Sequence, residues 1–355
     1  MRSAEGFDFG GRHVGGDAPV LSIAELSGNH NGSFERAVEM VEAAAGAGAD
    51  AIKVQTYTAD SITLKSDRPE FQAEGLWEGR TLHDLYGEAS MPWEWQRDLC
   101  IESNKLGVPF FSSVFDCSSI DFLESIDVAG YKIASFELVD VGLVSAAAST
   151  GKPLIMSTGM ATLAEIEEAV DAARSAGAGD MALLVCTSAY PAPADAANLR
   201  KIPHLAATFD VVSGLSDHTI GNEVPIAATA MGAKVIEKHF TLRRADGGVD
   251  SAFSLEPEEF QDMVASVRTA ESALGDISYG KSEADASSRA YRRSLFVAKH
   301  LSSGAVIGPE DVRSVRPGNG LHPRHLDEVI GMRARKDIEA GTPLSWDLVD
   351  ADGRA

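Results

Sequence analysis

The sequence predicts a (β/α)8 barrel followed by a small β-rich domain. Eight short β-type runs alternate with longer Ala- and Glu-rich helical patterns between about residues 20 and 274. Alternation of that kind builds a parallel sheet with right-handed crossovers, and eight such units in roughly 250 residues close a barrel. No Gly-rich dinucleotide loop follows the first run, which weighs against the competing arrangement, an open doubly wound sheet. After residue 274 the texture changes to a polar stretch and then to short strand-like runs with turns. A chain of 355 residues is long enough for this pair of domains.

The β-type runs are 20–26, 51–56, 109–114, 130–135, 153–158, 181–186, 211–215 and 234–240, and the helical patterns are 34–47, 93–105, 118–125, 141–149, 163–176, 196–209, 222–231 and 257–274. The last helix is expected to begin at Ser254 as N-cap, with Pro257 and acids in its first turn. The segment 57–92, which holds Trp77, His83 and Tyr86, is long for a strand-to-helix loop. On a barrel it would lie over the mouth as a lid, or else be a plain surface excursion. The expected domains are a barrel at 1–274, a linker at 275–290 and the β-rich domain at 291–355.

Composition excludes whole classes. At 44% hydrophobic the chain is not disordered. A net charge of −22 makes it a poor binder of nucleic acid or of an anionic membrane. The acidity is uneven: residues 1–290 carry 21 basic and 44 acidic side chains, whereas 10 basic and 9 acidic follow from Tyr291 onward. Cys100, Cys117 and Cys186 are odd in number and widely spaced, which fits a reducing compartment better than a disulfide scaffold. The first 19 residues lack an apolar signal core and no run of 18 apolar residues occurs, so a soluble, cytoplasmic protein is expected.

Polar residues gather where the runs end, which in a barrel is the catalytic face. The first run ends in Glu25 and leads into Ser27-Gly-Asn29-His30-Asn31, the second carries Lys53 and Gln55, and the third ends in Ser112-Ser113. Lys132, Ser135 and Glu137 follow in and after the fourth, Ser157 in the fifth, Ser188 and Tyr190 after the sixth. Ser216-Asp217-His218 and Glu237-Lys238-His239 close the set. Lysines inside barrel strands are costly unless they meet an anion. Lys53 and Lys132, with Ser113, Ser135, Ser157 and Ser216 as hydroxyl donors, therefore make a clamp for phosphate or carboxylate. A Schiff-base lysine at Lys53 and a buried structural ion pair at Lys132 are the alternatives.

His218 and His239 end adjacent runs, and two imidazoles at one mouth predict a divalent metal with open positions, suited to activating a carbonyl oxygen or a water. Glu25 and Glu137 are candidates for acid–base work or for orienting a sugar. Asp250, in a Gly-rich loop, could bond sugar hydroxyls, and Asp217 could either orient His218 or touch substrate. His30 could instead satisfy its own loop, and Arg316, on a tight turn, could be a solvated charge.

Taken together, these motifs resemble the sialic acid synthase family, which condenses phosphoenolpyruvate with an amino sugar. The resemblance covers nearly the whole chain and rests on Ala24-Glu-Leu-Ser-Gly-Asn-His-Asn-Gly, Ile52-Lys-Val-Gln-Thr-Tyr, Tyr131-Lys-Ile-Ala-Ser-Phe-Glu, Ser157-Thr-Gly-Met, Cys186-Thr-Ser-Ala-Tyr-Pro-Ala-Pro, Gly214-Leu-Ser-Asp-His-Thr and Glu237-Lys-His-Phe-Thr. It implies that Lys53, Ser113, Lys132, Ser135, Ser157, Ser188 and Ser216 hold phosphoenolpyruvate and that His218 and His239 hold Mn or Mg, or Co. It also implies that Glu25, Gln55, Glu137, Tyr190 and Asp250 face the acceptor sugar. Ser188 is a departure, standing where the neuraminate synthases typically have the Asn that bridges substrate. The terminal domain resembles the family's antifreeze-like (SAF) domain, which implies a homodimer with this domain over the partner barrel and Arg316 reaching the sugar's N-acetyl group. Ala24-Glu-Leu-Ser, Asp250-Ser-Ala-Phe-Ser-Leu-Glu-Pro and Arg292-Arg-Ser-Leu-Phe-Val are closest to the pseudaminic acid synthase branch, which implies a 2,4-diacetamido-2,4,6-trideoxy-altrose as acceptor. A neuraminate or legionaminate synthase with another acceptor, a Schiff-base pyruvate aldolase and a non-catalytic sugar- or ice-binding protein are the rival readings.

Overall fold

The computed structural model describes residues 6–280 and 283–350. The chain divides into two compact units, Met1–Gly275 and Asp276–Ala355. Residues 1–5, 281–282 and 351–355, which belong to the expected barrel, linker and terminal domain, lie outside the described residues.

The first unit opens with an antiparallel hairpin, β1 (Phe7–Phe9) and β2 (Arg12–Val14). Eight parallel strands then close a barrel in chain order: β3 (Leu21–Glu25), β4 (Ala51–Thr56), β5 (Phe110–Val114), β6 (Tyr131–Ile133), β7 (Leu154–Ser157), β8 (Met181–Cys186), β9 (Val212–Asp217) and β10 (Val235–His239), with β10 pairing back onto β3. The helices are α1 (Phe34–Gly46), α2 (Ala59–Ile62), α3 (Leu82–Ala89), α4 (Trp93–Lys105), α5 (Cys117–Glu124), α6 (Val141–Ala148), α7 (Leu163–Ser175), α8 (Lys201–Phe209), α9 (Glu223–Ala230) and α10 (Pro257–Leu274). The predicted barrel is thus the observed one.

Short polar side chains start these helices. Ser33, Asp116 and Asp140 accept the backbone N–H groups of Arg36, Ser119 and Leu143, and Thr162 with Glu165 forms a capping box on α7. The expected cap of α10 is corrected: Glu256, not Ser254, is the N-cap, in a box with Glu259. Pro257 fixes the first helical residue, so the cap must be the residue before it. The fourth run is also shorter than expected, because the chain leaves the sheet after Ile133 and Ser135 lies in a turn.

Alternation of side chains sorts each strand. Outward residues such as Ile52, Val54, Phe110, Tyr131, Met156 and Leu183 pack under the helices. Inward residues form two layers. The lower one is apolar: Leu21, Ile23, Ala51, Phe111, Ile155, Ala182, Leu184, Val212 and Val235 share a core with Phe7, Phe9 and Val14 of the hairpin. The hairpin is a plug that the sequence reading missed, although Gly10-Gly11 between two short alternating runs is a turn signal. Phe9 is fully buried, edge-on to Phe111 at 4.9 Å, and so close to the start of β6 that a Cβ on Gly130 would lie 2.6 Å from its ring. The upper inward layer is polar and is described below.

The second unit contains β11 (Ser294–Val297) paired with β12 (Val312–Val315), a short α11 (Leu326–Val329), and β13 (Arg333–Ala334) paired with β14 (Val349–Asp350). The segments 304–307 and 341–344 contribute only single bridges, Val306 to Arg333 and Phe296 to Pro343. Leu295, Val297, Ile307, Val312, Met332 and Leu344 centre its own small core.

Truncating the plug should be costly. Phe9→Ala is expected to lower barrel stability by about 3–5 kcal/mol, the usual cost of emptying a buried phenylalanine site. Urea midpoints would read this, and a change below about 1 kcal/mol would show that the hairpin is not part of the barrel core.

Candidate active site

Strand register builds the upper layer. Pairing sets Glu25 beside Lys53 and His239, Gln55 beside Ser113, Ser113 beside Lys132, and Ser216 beside both Cys186 and Glu237. Lys53 is nearly fully buried, ion-paired with Glu25 and 3.6 Å from Glu237, and its ammonium donates to Ser113 Oγ at 3.1 Å. Burial disfavours that charge, but the two carboxylates prevail and hold the ammonium above its ordinary range. Burial raises Glu25, even against Lys53, whereas Lys132 and Lys53 overcome the burial of Glu237 and keep its carboxylate below the ordinary value.

Lys132 is different. It is 1% exposed, and its ammonium donates to Ser157 Oγ at 2.7 Å and to the Ile133 carbonyl at 3.0 Å. No ion pair among the described residues includes it, and burial pushes its pKa down. The structural ion pair considered for Lys132 therefore falls on Lys53, and Lys132 is the buried cation without a carboxylate in contact, with Glu237 acting on it only from a distance.

Further hydroxyls belong to the same layer. Ser135 Oγ accepts the Gly159 N–H at 3.1 Å, and a Cβ on Gly159 would lie 2.7 Å from Ser135 Oγ and 2.5 Å from Ser188 Oγ. Gly159 is thus a glycine by close approach, and it brings these serines together. Ser216 Oγ donates to Glu237 at 3.0 Å.

Cys186, for which the sequence predicts no role in the site, faces into this layer 3.9 Å from both Ser188 Oγ and His218 Nδ1. Burial raises its thiol, but His218, Ser135 and Lys132 bring it down to about 7. The available signal was its phase, two and four residues beyond inward Leu184 and Ala182. Glu237 was noted without a role for the same reason: its partners belong to other strands.

The two histidines do converge. His218 lies one residue past β9 and His239 ends β10, with ring centroids 5.3 Å apart. The Thr187 carbonyl, 2.9 Å from His218 Nδ1, can only accept, so Nδ1 carries a hydrogen and Nε2 is the nitrogen left to meet a metal. His239 Nδ1 lies 3.2 Å from Ser27 Oγ, and burial, with the nearby His218, Lys53 and Lys238 cations, holds this imidazole neutral. Tyr190 and Phe253 wall the pair, Tyr190 at 4.4 Å from the His218 ring and Phe253 at 4.9 Å from that of His239. Among the described residues no cluster of three or more His, Cys, Asp or Glu fits a metal ion. The donor set is two imidazoles: burial disfavours the charge on His218, but Cys186, the Thr187 carbonyl and Glu237 raise its pKa, so it ligates only after releasing its Nε2 proton, and the pair suits a divalent ion completing its shell with water and substrate.

Other expectations resolve individually. Asp217 neither orients His218 nor faces the barrel: it pairs outward with Lys238 at 2.5 Å and accepts from Thr219, so it fixes the turn after β9. His30 is structural, accepting the Gly32 N–H and donating to the Ala89 carbonyl. Asp250 is buried and engaged with Ser27 and Gly28. Gln55 and Tyr190 are half-buried at the rim. The segment 57–92 folds onto the mouth, where Trp77 donates to the Val249 carbonyl at 3.0 Å and lies tilted against Tyr190, ring centroids 6.0 Å apart. Arg316 is exposed in the second unit.

Glu137 sits half-buried in the turn after β6, where burial lifts its carboxyl to about 7. Folded Glu137 thus keeps a proton between its ordinary 4.5 and about 7 that the unfolded chain releases, so its contribution to stability falls as pH rises through that window. Glu137→Gln removes that component, and its urea midpoint should decline less than the parent's over the same range. Equal pH slopes for both proteins would count against a raised carboxyl.

Comparison with known proteins identifies the family of the chain. The family described as the NeuB family matches residues 40–279, and the SAF domain matches residues 292–350. A pseudaminic acid synthase of Campylobacter jejuni is 45% identical over 92% of this chain and 96% of its own length. An N,N'-diacetyllegionaminic acid synthase of Legionella pneumophila is 38% identical over 95% of this chain and 96% of its own. The crystal structure of an N-acetylneuraminic acid synthetase from Leptospira borgpetersenii superposes with a TM-score of 0.73 at 31% identity, covering 81% of this chain and 96% of that one. With more than half its length matched by the family model, the chain belongs to the NeuB family, with a SAF domain following in sequence.

Proposed function

We infer that this chain condenses phosphoenolpyruvate with a 2,4-diacetamido-2,4,6-trideoxy-altrose and water, giving pseudaminic acid and phosphate. The observation that carries the reading is Lys132, a buried ammonium with hydroxyl partners and no carboxylate. Such a charge is stable only if an anion completes it. The higher identity to the pseudaminic than to the legionaminic synthase supports the choice of acceptor.

Lys132 and Lys53 neutralise the carboxylate and phosphate of phosphoenolpyruvate, and Ser113, Ser135, Ser157, Ser188 and Ser216 orient its oxygens. His218 and His239 hold Mn, Mg or Co, which when bound supplies a Lewis acid for the aldehyde of the open-chain sugar. Gln55, Tyr190 and Asp250 position that sugar, so that carbon 3 of phosphoenolpyruvate forms the new bond to the aldehyde carbon. Glu25 and Glu137, both raised by burial, exchange protons with the new hydroxyl and with the water that adds at carbon 2. Phosphate then leaves with cleavage of the C–O bond. The chain works in the cytoplasm as a homodimer, the SAF unit of each protomer covering the other's barrel and bringing Arg316 to the N-acetyl group. No helix among the described residues is long and apolar enough to cross a membrane.

One observation favours a second reading: a lysine lowered by burial, as Lys132 is, is what a Schiff-base nucleophile needs. Phosphate release from phosphoenolpyruvate, dependent on the acceptor and abolished by EDTA, is the expected result. A covalent adduct after borohydride treatment with pyruvate would instead select the aldolase. Lys132→Ala is expected to lower kcat/KM for phosphoenolpyruvate about 100-fold or more, in line with loss of a preorganised charge contact. Arg316→Ala should raise KM for the acceptor while leaving that for phosphoenolpyruvate nearly unchanged. An equal effect on both substrates would remove Arg316 from the sugar site.

A further inference from the structure

Ser27 stands in a conformation that its side chain makes expensive. Its φ is 38°, in the left-handed region where a glycine is at ease and a Cβ is not. The bend lets the Ser27 N–H reach back to Glu25 Oε1 at 2.9 Å, a contact that a glycine would make equally well. What a glycine could not supply is the hydroxyl, which is buried at the mouth between two site residues. Ser27 Oγ lies 2.6 Å from Asp250 Oδ2 and 3.2 Å from His239 Nδ1.

The direction of these two hydrogen bonds follows from counting protons. Asp250 Oδ2 takes both the Ser27 hydroxyl hydrogen and the Gly28 N–H, at 2.6 and 3.3 Å, the two-acceptor arrangement of an ionised carboxylate oxygen. The one hydroxyl hydrogen of Ser27 is therefore given to Asp250, and the oxygen has only lone pairs to offer His239. A neutral imidazole can meet them only with Nδ1–H.

We propose that Ser27 is a positioning residue that fixes His239 in its Nδ1–H tautomer through the relay Asp250–Ser27–His239, leaving Nε2 bare and directed to the same task as that of His218. Thr187 does for His218 with a carbonyl what Ser27 does for His239 with a hydroxyl anchored on a carboxylate. The proposal rests on the reading of the two histidines as metal ligands for its purpose, but the tautomer itself does not require a metal.

The test uses the full-length, metal-free chain labelled with 15N-histidine. Long-range proton–nitrogen spectra should show His239 with its hydrogen on Nδ1 in the parent, shifting to Nε2–H or a mixture in Ser27→Gly and Ser27→Ala. Ser27→Gly relieves the backbone strain, so folding is preserved while the hydroxyl is lost. Mn(II) affinity, read as free ion by electron paramagnetic resonance, should fall about 10–100-fold in both variants, the usual loss on removing a group that orients a ligand. An Nε2–H tautomer in the parent, an unchanged tautomer in Ser27→Gly, or a tautomer switch with unaltered Mn(II) affinity would each overturn the proposal. If the parent itself binds no Mn(II), a tautomer switch in the variants upholds the relay and sinks the metal reading instead.

Discussion

The barrel is organised around a charge that has no business in a protein interior. Lys53 lies inside a closed sheet, and the fold keeps it ionised by placing Glu25 and Glu237, one from each side of the seam where the barrel closes, against its ammonium. Removing one partner of such a buried group typically costs about 3–5 kcal/mol. The arrangement is possible only because the lower layer and its hairpin plug are dry and apolar, so that polarity is confined to the end of the strands that carries the loops.

With Lys53 satisfied, Lys132 is left without a carboxylate in contact, and the proposed function gives that place to an anion. The mouth loops are then held by interactions that point away from the substrate space: Asp217 with Lys238, Asn29 with the Phe240 carbonyl and Ser254, Arg36 with Asp246. Rigid loops matter here, because two imidazoles make a metal site only if both rings keep their orientation.

The net charge of −22 and an anionic substrate are compatible for a simple geometric reason. The buried ionised groups of the inner layer come close to balance, lysine against glutamate. The excess acid therefore belongs to the outer surface of the first unit, where water screens it from the site.

The sequence by itself determined the architecture, since period and alternation are local properties: eight runs became eight strands in the expected order. It also placed Glu25, Lys53, Lys132, His218 and His239 at strand ends, because on a barrel every strand end arrives at the same face. What it did not determine is who meets whom. That Lys53 is paired and Lys132 is not, that Cys186 and Glu237 join the inner layer, that Asp217 turns outward, and that Ser27 bridges Asp250 to His239 all depend on register between strands and on contacts spanning many residues. Those are set when the barrel closes, since one residue of phase decides whether a side chain faces the substrate or the helices.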